Sequence, residues 1–148
     1  MSIVQWKNKL IRLARLDRAD KGLLLRAAAW LLIARIMLVA MPFDRLAARL
    51  SARSGSINTE PDPDVLQRIG FAVRVAANHV PWRSDCFPQT IAARMLLKRF
   101  GYASTIHFGV DRVGEDGLEG HAWLTCVETV VIGGPELDRY AEMHRLGV

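Results

Sequence analysis

The amino-terminal half of the sequence places its apolar residues at the spacing of α-helices. Apolar positions recur there every three or four residues, and the longest apolar stretch begins just after Asp20. From this pattern we predict helices at residues 3–16, 21–41, 43–53, 64–80 and 86–101.

Capping residues and prolines indicate where these helices begin and end. Asp20 is the expected cap of the apolar second helix, and Asp64 is the expected cap of the fourth. Pro88 is tolerated in the first turn of the fifth helix, and Gly101 suits its end. The inward faces of the fourth and fifth helices are predicted to consist of Val65, Ile69, Ala72 and Val73, and of Ile91, Met95 and Leu96.

The apolar second helix raises the question of a membrane. A membrane span needs about 20 apolar residues with few charges. Arg26 and Arg35 interrupt this stretch and Pro42 ends it, so we favour a helix of the core or of an interface over a span. Peripheral contact with a membrane stays an alternative, because basic residues beside Trp and Leu also suit a bilayer surface.

After Gly101 the pattern changes from the helical period to alternation. Residues 104–112 alternate and are rich in β-formers, and residues 121–128 and 129–134 follow as two further strands with a turn at Glu128–Thr129. Residues 135–146 are predicted to form a closing helix. Helices followed by an antiparallel sheet indicate an α+β fold.

The distribution of charge divides the chain. Residues 1–53 carry eleven Lys and Arg against three Asp, a net charge of +8, whereas the remainder carries nine against twelve acidic residues, a net charge of −3. A loop rich in Gly, Ser and Pro lies at the boundary, at residues 54–64. With 148 residues, 51% of them hydrophobic, the chain suits a single folded unit in which basic helices (1–53) pack on a core (54–148).

The basic segment suits several kinds of partner. An anionic membrane, an acidic protein and a nucleic acid are all compatible with it, and so is a plain solvated helix face. Because the sequence contains no base-reading motif, we expect no nucleic-acid partner.

The sequence contains two cysteines, Cys86 and Cys126, and this number limits the kinds of site that the protein can form. Two thiols cannot build a disulfide-dense scaffold, and the spacing of a four-ligand cysteine zinc site is absent from the sequence. We therefore expect no metal and no cofactor. The amino end is charged throughout and does not resemble a signal peptide, so we expect a cytoplasmic protein.

Cys86 and His121 are the candidate catalytic residues. Cys86 lies at the start of a predicted helix, whose free N–H groups and partial positive charge favour a thiolate and could also hold an oxyanion. A thiolate nucleophile needs an imidazole that takes a proton and later delivers it to the leaving amine. His121 opens a predicted strand, from which it can point toward a helix terminus packed on the sheet.

The remaining cysteine, histidines and tryptophans have structural interpretations. Cys126 lies in an alternating strand and is expected to be a small apolar residue, and His107 is expected to be structural. Strand alternation puts Trp123 on the same face as His121. For Trp82, a wall of the site and a turn-filling role both stay open. Surface or capping roles, one of them at the end of the closing helix, are expected of His79 and His144.

Five stretches of this sequence carry a resemblance to a known family. They are "ADKGLLLRAAAWLLIARIMLVAMPFDRL", "CFPQTIAARMLLKRFG", "HFGVDR", "LEGHAWL" and "VVIGGPELDRY". The chain resembles the lasso-peptide leader peptidases over roughly residues 18–141; these are a transglutaminase-like, papain-like branch of the cysteine proteases. The resemblance implies that Cys86 is the nucleophile and that His121 is the general base and acid.

The family's third catalytic residue, an Asp on the strand after the histidine, has no match here. The sequence reads "VVIGG" at that point. If residue 127 pairs with residue 130, His121 lies opposite residue 136, so Glu136, Asp138 or a backbone carbonyl could orient the imidazole.

The resemblance also implies a function and partners. The enzyme would remove the leader from a ribosomally made precursor peptide in antibiotic biosynthesis, before an ATP-dependent cyclase closes the lasso. Fewer than twenty residues precede the family-like helices, so we expect a separate leader-recognition protein. The alternative is a non-catalytic peptide-binding or scaffold module of a peptide-maturation complex.

Overall fold

Helices make up the first part of the described chain. The computed structural model describes residues 16–51, 59–113, 117–134 and 137–146. The helix predicted at residues 3–16 lies outside this range except for its last residue. The helices of the described residues are α1 (Arg18–Ala40), α2 (Phe43–Ser51), α3 (Pro63–Ala77) and α4 (Cys86–Arg99).

Two predicted caps are wrong, each by two or three residues. Asp17 caps α1, and its carboxylate accepts a hydrogen bond from the N–H of Arg18 at 2.7 Å. Asp20 lies inside the first turn, where it pairs with Arg68 of α3 at 2.6 Å. Asp62 caps α3 in place of Asp64, because the ring of Pro63 fits the first helical position, where no N–H is needed.

The sheet is antiparallel and follows the helices, so the α+β fold class is confirmed. Its strands are β1 (Thr105–Val113), β2 (Gly117–Cys126), β3 (Thr129–Ile132) and β4 (Ala141–Leu146), in the spatial order β3-β2-β1-β4. The turn between β2 and β3 lies at Val127–Glu128, with Val127 at φ 56° and Cys126 opposite Thr129. The predicted pairing of residues 127 and 130 is therefore wrong.

The predicted closing helix is also wrong. Leu137–Arg139 form a short 3₁₀ turn, and β4 then pairs with β1 along the edge of the sheet. Leu146 lies opposite Ile106 and is buried with it. Pairing satisfies the backbone groups on the outer side of β1, which a helix at this position would leave open. His144 therefore lies on a strand, opposite Phe108.

The helices cover one face of the sheet, and the core lies between the two layers. On the sheet side the core contains Ile106, Leu124, Ile132 and Leu146. The helical side is formed by the buried residues Leu23, Ala27, Leu31, Ala34, Leu46, Leu50, Leu66, Ile69, Ala72, Val73, Ala76, Ile91, Ala92, Ala93, Leu96 and Leu97. Of the predicted inward residues, only Val65 and Met95 are half-buried rather than buried. The division at residues 53 and 54 stays a prediction.

A buried arginine links three elements of the fold. Arg94 of α4 is 7% exposed, and its guanidinium donates to the carbonyl oxygen of Leu50 at 2.6 Å and to that of Ser104. Burial lowers the pKa of this guanidinium. The contacts satisfy a carbonyl at the end of α2 and another just before β1.

We expect Arg94→Met to destabilise the protein by about 2–4 kcal/mol, because two carbonyls lose their donor in the interior. Urea unfolding followed by circular dichroism measures the change. Arg99→Met, at an exposed position of the same helix, is the matched control and should change the free energy of unfolding by less than about 0.5 kcal/mol. Equal effects of the two substitutions would contradict the bridging role of Arg94.

Candidate active site

Cys86 is the first residue of α4, and its thiol is free and half-buried. Asp85 occupies the capping position, but its side chain makes no capping hydrogen bond and instead pairs with Arg83 at 2.9 Å. The first backbone bond of the helix runs from the N–H of Gln89 to the carbonyl oxygen of Asp85. Pro88 has no N–H, so the N–H groups of Cys86 and Phe87 are the first-turn donors available to an anion.

Three phenylalanines hold the beginning of α4 against the sheet. The ring of Phe87 meets that of Phe108 on β1 with 4.9 Å between centroids, in an edge-to-face arrangement. Phe43 of α2 contacts both rings, with centroids 6.3 and 6.2 Å away. Phe108 lies opposite Ala122 on β2. The first turn of α4 therefore lies at the level of residue 122 along the sheet.

His121 immediately precedes Ala122 on β2 and is half-buried. Its Nε2 is 2.7 Å from the carbonyl oxygen of Gly133, so Nδ1 is the ring nitrogen that can bond to another group. The imidazole stacks on Tyr140 at 4.7 Å and on Trp123 at 6.3 Å, and Trp123 stacks in turn on His107 at 5.3 Å. These four side chains form a column of rings, which we call the ring column. The expectation that His121 and Trp123 share a face is confirmed.

A backbone carbonyl orients the imidazole in this structure. Of the three groups considered from the sequence, Glu136 lies outside the described residues, and Asp138 lies in the 3₁₀ turn without a hydrogen bond to His121 in the part of the chain described. Gly133 can supply the carbonyl because its φ is 149° and because a Cβ there would lie 2.5 Å from Cβ of Trp123. Any larger residue would displace the carbonyl from the ring.

The strand register places the ring of His121 on the face away from the helices. His121 lies opposite Gly109, and its neighbours on that face are Trp123 and His107. Phe108 and Ala122 belong to the other face, which α4 covers. Within the described residues no hydrogen bond joins Cys86 to His121. The structure thus brings the two residues to the same level of the sheet without pairing them.

The backbone of Gly133 borders the edge of β2 beside His121, with its carbonyl oxygen 2.7 Å from Nε2 of His121. β3 ends at Ile132, whose partner is Leu124, so no described strand pairs with β2 on that side before residue 124. Movement of the His121 side chain past this edge would break no ladder bond there, but it would separate Nε2 from the carbonyl of Gly133.

Cys126 has the properties expected of an inert thiol. It is fully buried, its Sγ donates to the carbonyl oxygen of Ala103 at 3.2 Å, and burial raises the pKa of the thiol. A neutral, inaccessible thiol cannot attack a substrate.

His107 and His79 make structural contacts. His107 is buried, with Nε2 at 2.8 Å from Oγ1 of Thr125 and Nδ1 at 3.3 Å from Glu142, an electrostatic contact rather than an aligned hydrogen bond. The pKa of Glu142 lies below its usual value because of the hydrogen bond from Arg145 and, after it, the contact with His107. His79 contacts the carbonyl oxygen of Val75 at the end of α3.

The sequence reasoning missed Tyr140, and it offered a backbone carbonyl as the orienting group without identifying Gly133. Tyr140 was assigned to a closing helix, so its stacking on His121 was not foreseen. The carbonyl of Gly133 carries no signal in the side-chain sequence apart from the glycine pair itself. The role of Trp82 also stays open: its ring is half-buried, and its Nε1 is buried without a hydrogen-bond partner in the described structure.

The described part of the chain contains no candidate metal site. No group of three or more His, Cys, Asp and Glu side chains there could hold a metal ion.

Comparison with known proteins identifies the family. The family model described as transglutaminase-like superfamily matches residues 28–145, well over half of the chain. No curated protein and no solved structure matches. The match includes α4, with Cys86 at its start, and β2, with His121. The chain therefore belongs to the transglutaminase-like superfamily.

Proposed function

We propose that this chain is a cysteine endopeptidase that removes the leader from a ribosomally made lasso-peptide precursor. The observation that carries the proposal is the superfamily match over residues 28–145 together with the position of Cys86. This thiol begins a helix whose first turn has no side-chain cap. Superfamily membership supports cysteine–histidine chemistry on an amide bond, and the choice of peptide comes from the resemblance of the sequence motifs.

The reaction follows from the two groups. His121 takes the proton of the Cys86 thiol, and the resulting thiolate attacks the scissile carbonyl carbon. The N–H groups of Cys86 and Phe87 stabilise the oxyanion that forms. The C–N bond breaks as His121 delivers a proton to the leaving amine, which leaves a thioester on Cys86. Water, deprotonated by His121, then hydrolyses the thioester and releases the leader with a free carboxylate.

The proposal requires the imidazole of His121 to approach Cys86 when peptide binds. Such a movement would break no strand pairing at His121, because no described strand pairs with β2 on that side before residue 124. In moving toward the thiol, the imidazole would release Nε2 from the carbonyl of Gly133, which it contacts on the face away from α4. Catalytic hydrogen bonds are often longer without substrate than in the working complex.

The proposed setting is the cytoplasm, with three partners. The precursor peptide is the substrate, a separate leader-recognition protein presents it, and an ATP-dependent cyclase uses the amine that cleavage exposes. The second candidate function is a non-catalytic peptide-binding or scaffold module. The placement of His121 on the face away from α4 favours this alternative.

Reconstitution tests the proposal directly. The chain is incubated with a candidate precursor and its leader-recognition protein, and mass spectrometry follows the products. We expect the leader and the core peptide as separate species, with hydrolysis at a single bond. An intact precursor, bound by the complex but never cut, would favour the scaffold.

Alkylation measures the state of the thiol without any substrate. We expect iodoacetamide near pH 6 to modify Cys86 at least about tenfold faster than a model thiol, since aligned helix N–H groups favour the thiolate. Cys126 should remain unmodified in the folded protein because it is fully buried. Peptide mapping by mass spectrometry distinguishes the two sites, and an ordinary rate at Cys86 would contradict its activation.

A further inference from the structure

The outer face of α1 is an exposed apolar surface. Its large residues and their exposed fractions are Leu25 73%, Leu32 41%, Ile33 40%, Ile36 56% and Val39 73%. At 100° per residue these positions fall on one side of the helix, in a band roughly 20 Å long that we call the α1 stripe. On the opposite side, Leu23, Ala27, Leu31 and Ala34 are buried in the core. A contiguous apolar surface of this kind marks an interaction site.

Positive charge borders the stripe. Arg26 and Arg35 lie on its two flanks, and Arg18 and Lys21 lie at its amino-terminal end. Within the described residues, neither Arg26 nor Arg35 forms an ion pair. The two acidic residues of this region are engaged elsewhere, since Asp17 caps the helix and Asp20 is held by Arg68.

A cleft with three arginines among its lining residues adjoins the stripe on the flank that faces α3. Its volume is about 380 Å³, and Arg18, Arg26 and Arg68 line it. Its walls also include the apolar side chains of Val65 and Phe100, the latter 45% exposed. Asp20 neutralises only one of the three arginines. The cleft can therefore accept an anionic group such as a phosphate.

From the stripe and the cleft together we infer that α1 lies on the surface of an anionic lipid bilayer. The apolar side chains enter the boundary between headgroups and acyl chains, and the flanking arginines contact lipid phosphates. The cleft takes one phosphate headgroup beside the inserted stripe. The negative charge of the lipid phosphates complements the positive charge of the arginines.

Other occupants fit these observations less well. α1 is long and apolar enough to cross a membrane, but a span would take Leu23, Ala27 and Leu31 out of the core that they share with α3 and α4. A second copy of the chain would bring the flanking arginines of one protomer against those of the other. A protein partner would need a groove for a single convex helix as well as an anionic group for the cleft.

Lying on a bilayer in this way leaves the sheet accessible. α1 packs on α3 and α4, and those helices separate it from the sheet. The face that carries the ring column therefore points away from the membrane. Membrane contact and peptide access do not compete for the same surface.

Sedimentation with lipid vesicles tests the inference. One set of vesicles contains equal parts of phosphatidylglycerol and phosphatidylcholine, and the other contains phosphatidylcholine alone. We expect binding to the anionic vesicles that weakens at least about tenfold between 0.1 and 0.5 M salt, and little binding to the neutral ones. All variants retain residues 1–15, so differences among them report on α1.

Paired substitutions identify the two parts of the surface. Arg26→Gln with Arg35→Gln should weaken binding by about 25-fold, since each arginine contributes roughly a factor of five. Leu25→Asn with Ile36→Asn should weaken it by about 100-fold through lost apolar insertion. The matched control is Leu118→Asn with Met143→Gln, which changes side chains 73% and 70% exposed on the sheet. This control should bind as wild type, and melting curves should show every variant folded.

Several results would overturn the inference. Equal binding to neutral and anionic vesicles would exclude attraction between the arginines and the lipid phosphates. Unchanged binding of the Leu25→Asn, Ile36→Asn variant would exclude insertion of the α1 stripe into the bilayer. Competition by inorganic phosphate that abolishes vesicle binding would indicate a free-anion site. A dimer that dissociates when Leu25 and Ile36 are changed would assign the face to a second copy. Cys86→Ala should bind vesicles as wild type does, so this test is independent of the peptidase assignment.

Discussion

Replacing Cys86 with alanine should abolish precursor cleavage, with a loss of about 10⁴-fold or more in kcat/KM. The thiolate is the group that attacks the scissile carbon in the first step of the proposed reaction, and alanine removes it without adding volume. The side chain is half-buried at the helix start, so we expect the fold to persist. A mass-spectrometric cleavage assay measures the loss, and pull-down of the precursor with its recognition protein measures binding.

Cys126→Ala is the control for this experiment. Its thiol is buried, and burial raises the pKa of that thiol. The substitution should therefore lower the stability of the protein slightly and leave the cleavage rate within about a factor of two of wild type. Cleavage by Cys86→Ala at the wild-type rate would remove the proposed mechanism. Loss of cleavage in both variants, with both folded, would point to a general defect rather than to a nucleophile.

Replacing His121 with glutamine should reduce kcat by about 10³- to 10⁴-fold with little change in KM. Glutamine can still reach the carbonyl of Gly133 through its amide, but it cannot take a proton from the thiol or give one to the leaving amine. The loss should appear in single-turnover cleavage, because the acylation step itself is slowed. Alkylation of Cys86 near pH 6 should continue if the helix N–H groups contribute to the thiolate independently.

His107→Gln is the matched control within the ring column. This histidine stacks on the same tryptophan, but it is held by Thr125 and Glu142 rather than by Gly133. We expect reduced stability and a kcat within about a factor of ten of wild type. If the two substitutions lowered kcat equally, the effect would belong to the packing of the column and the assignment of His121 would fail.

The helices were predictable because their signals are local. Each of the described helices has an apolar face at helical spacing, and the prolines and Gly101 mark boundaries within a few residues. The caps were misplaced because an aspartate in the first turn and an aspartate at the cap look alike in sequence. Pro63 distinguishes them for α3, since proline prefers the position just after the cap.

The closing strand was not predictable from its own residues. The sequence "AEMHRL" alternates weakly, and Ala, Glu, Met and Leu all favour helices. Its conformation is decided by the unsatisfied edge of β1 and by the place that the core offers Leu146. Both are tertiary effects, and they override a local preference of less than about 1 kcal/mol per residue.

For the site, residue types were predictable and their faces were only partly so. The alternation of "HAWLTC" placed His121 with Trp123, and the apolar Ala122 and Leu124 on the other face. That same alternation puts the apolar face under α4 and the imidazole away from it. The sequence motif suggested a pair before the register was known. The carbonyl of Gly133 depends on a backbone torsion that no side chain encodes.

The order of strands has a consequence for how the molecule assembles. β1 and β2 are consecutive in sequence and pair with each other, whereas β4 pairs with β1 although β2 and β3 lie between them in sequence. The chain between β1 and β4 is longer than the chain between β1 and β2, and its two ends must meet before β4 forms hydrogen bonds with β1. We therefore expect β4 to be the last strand to join the sheet. Tyr140 immediately precedes that strand, which makes the imidazole's stacking partner among the latest parts of the protein to settle.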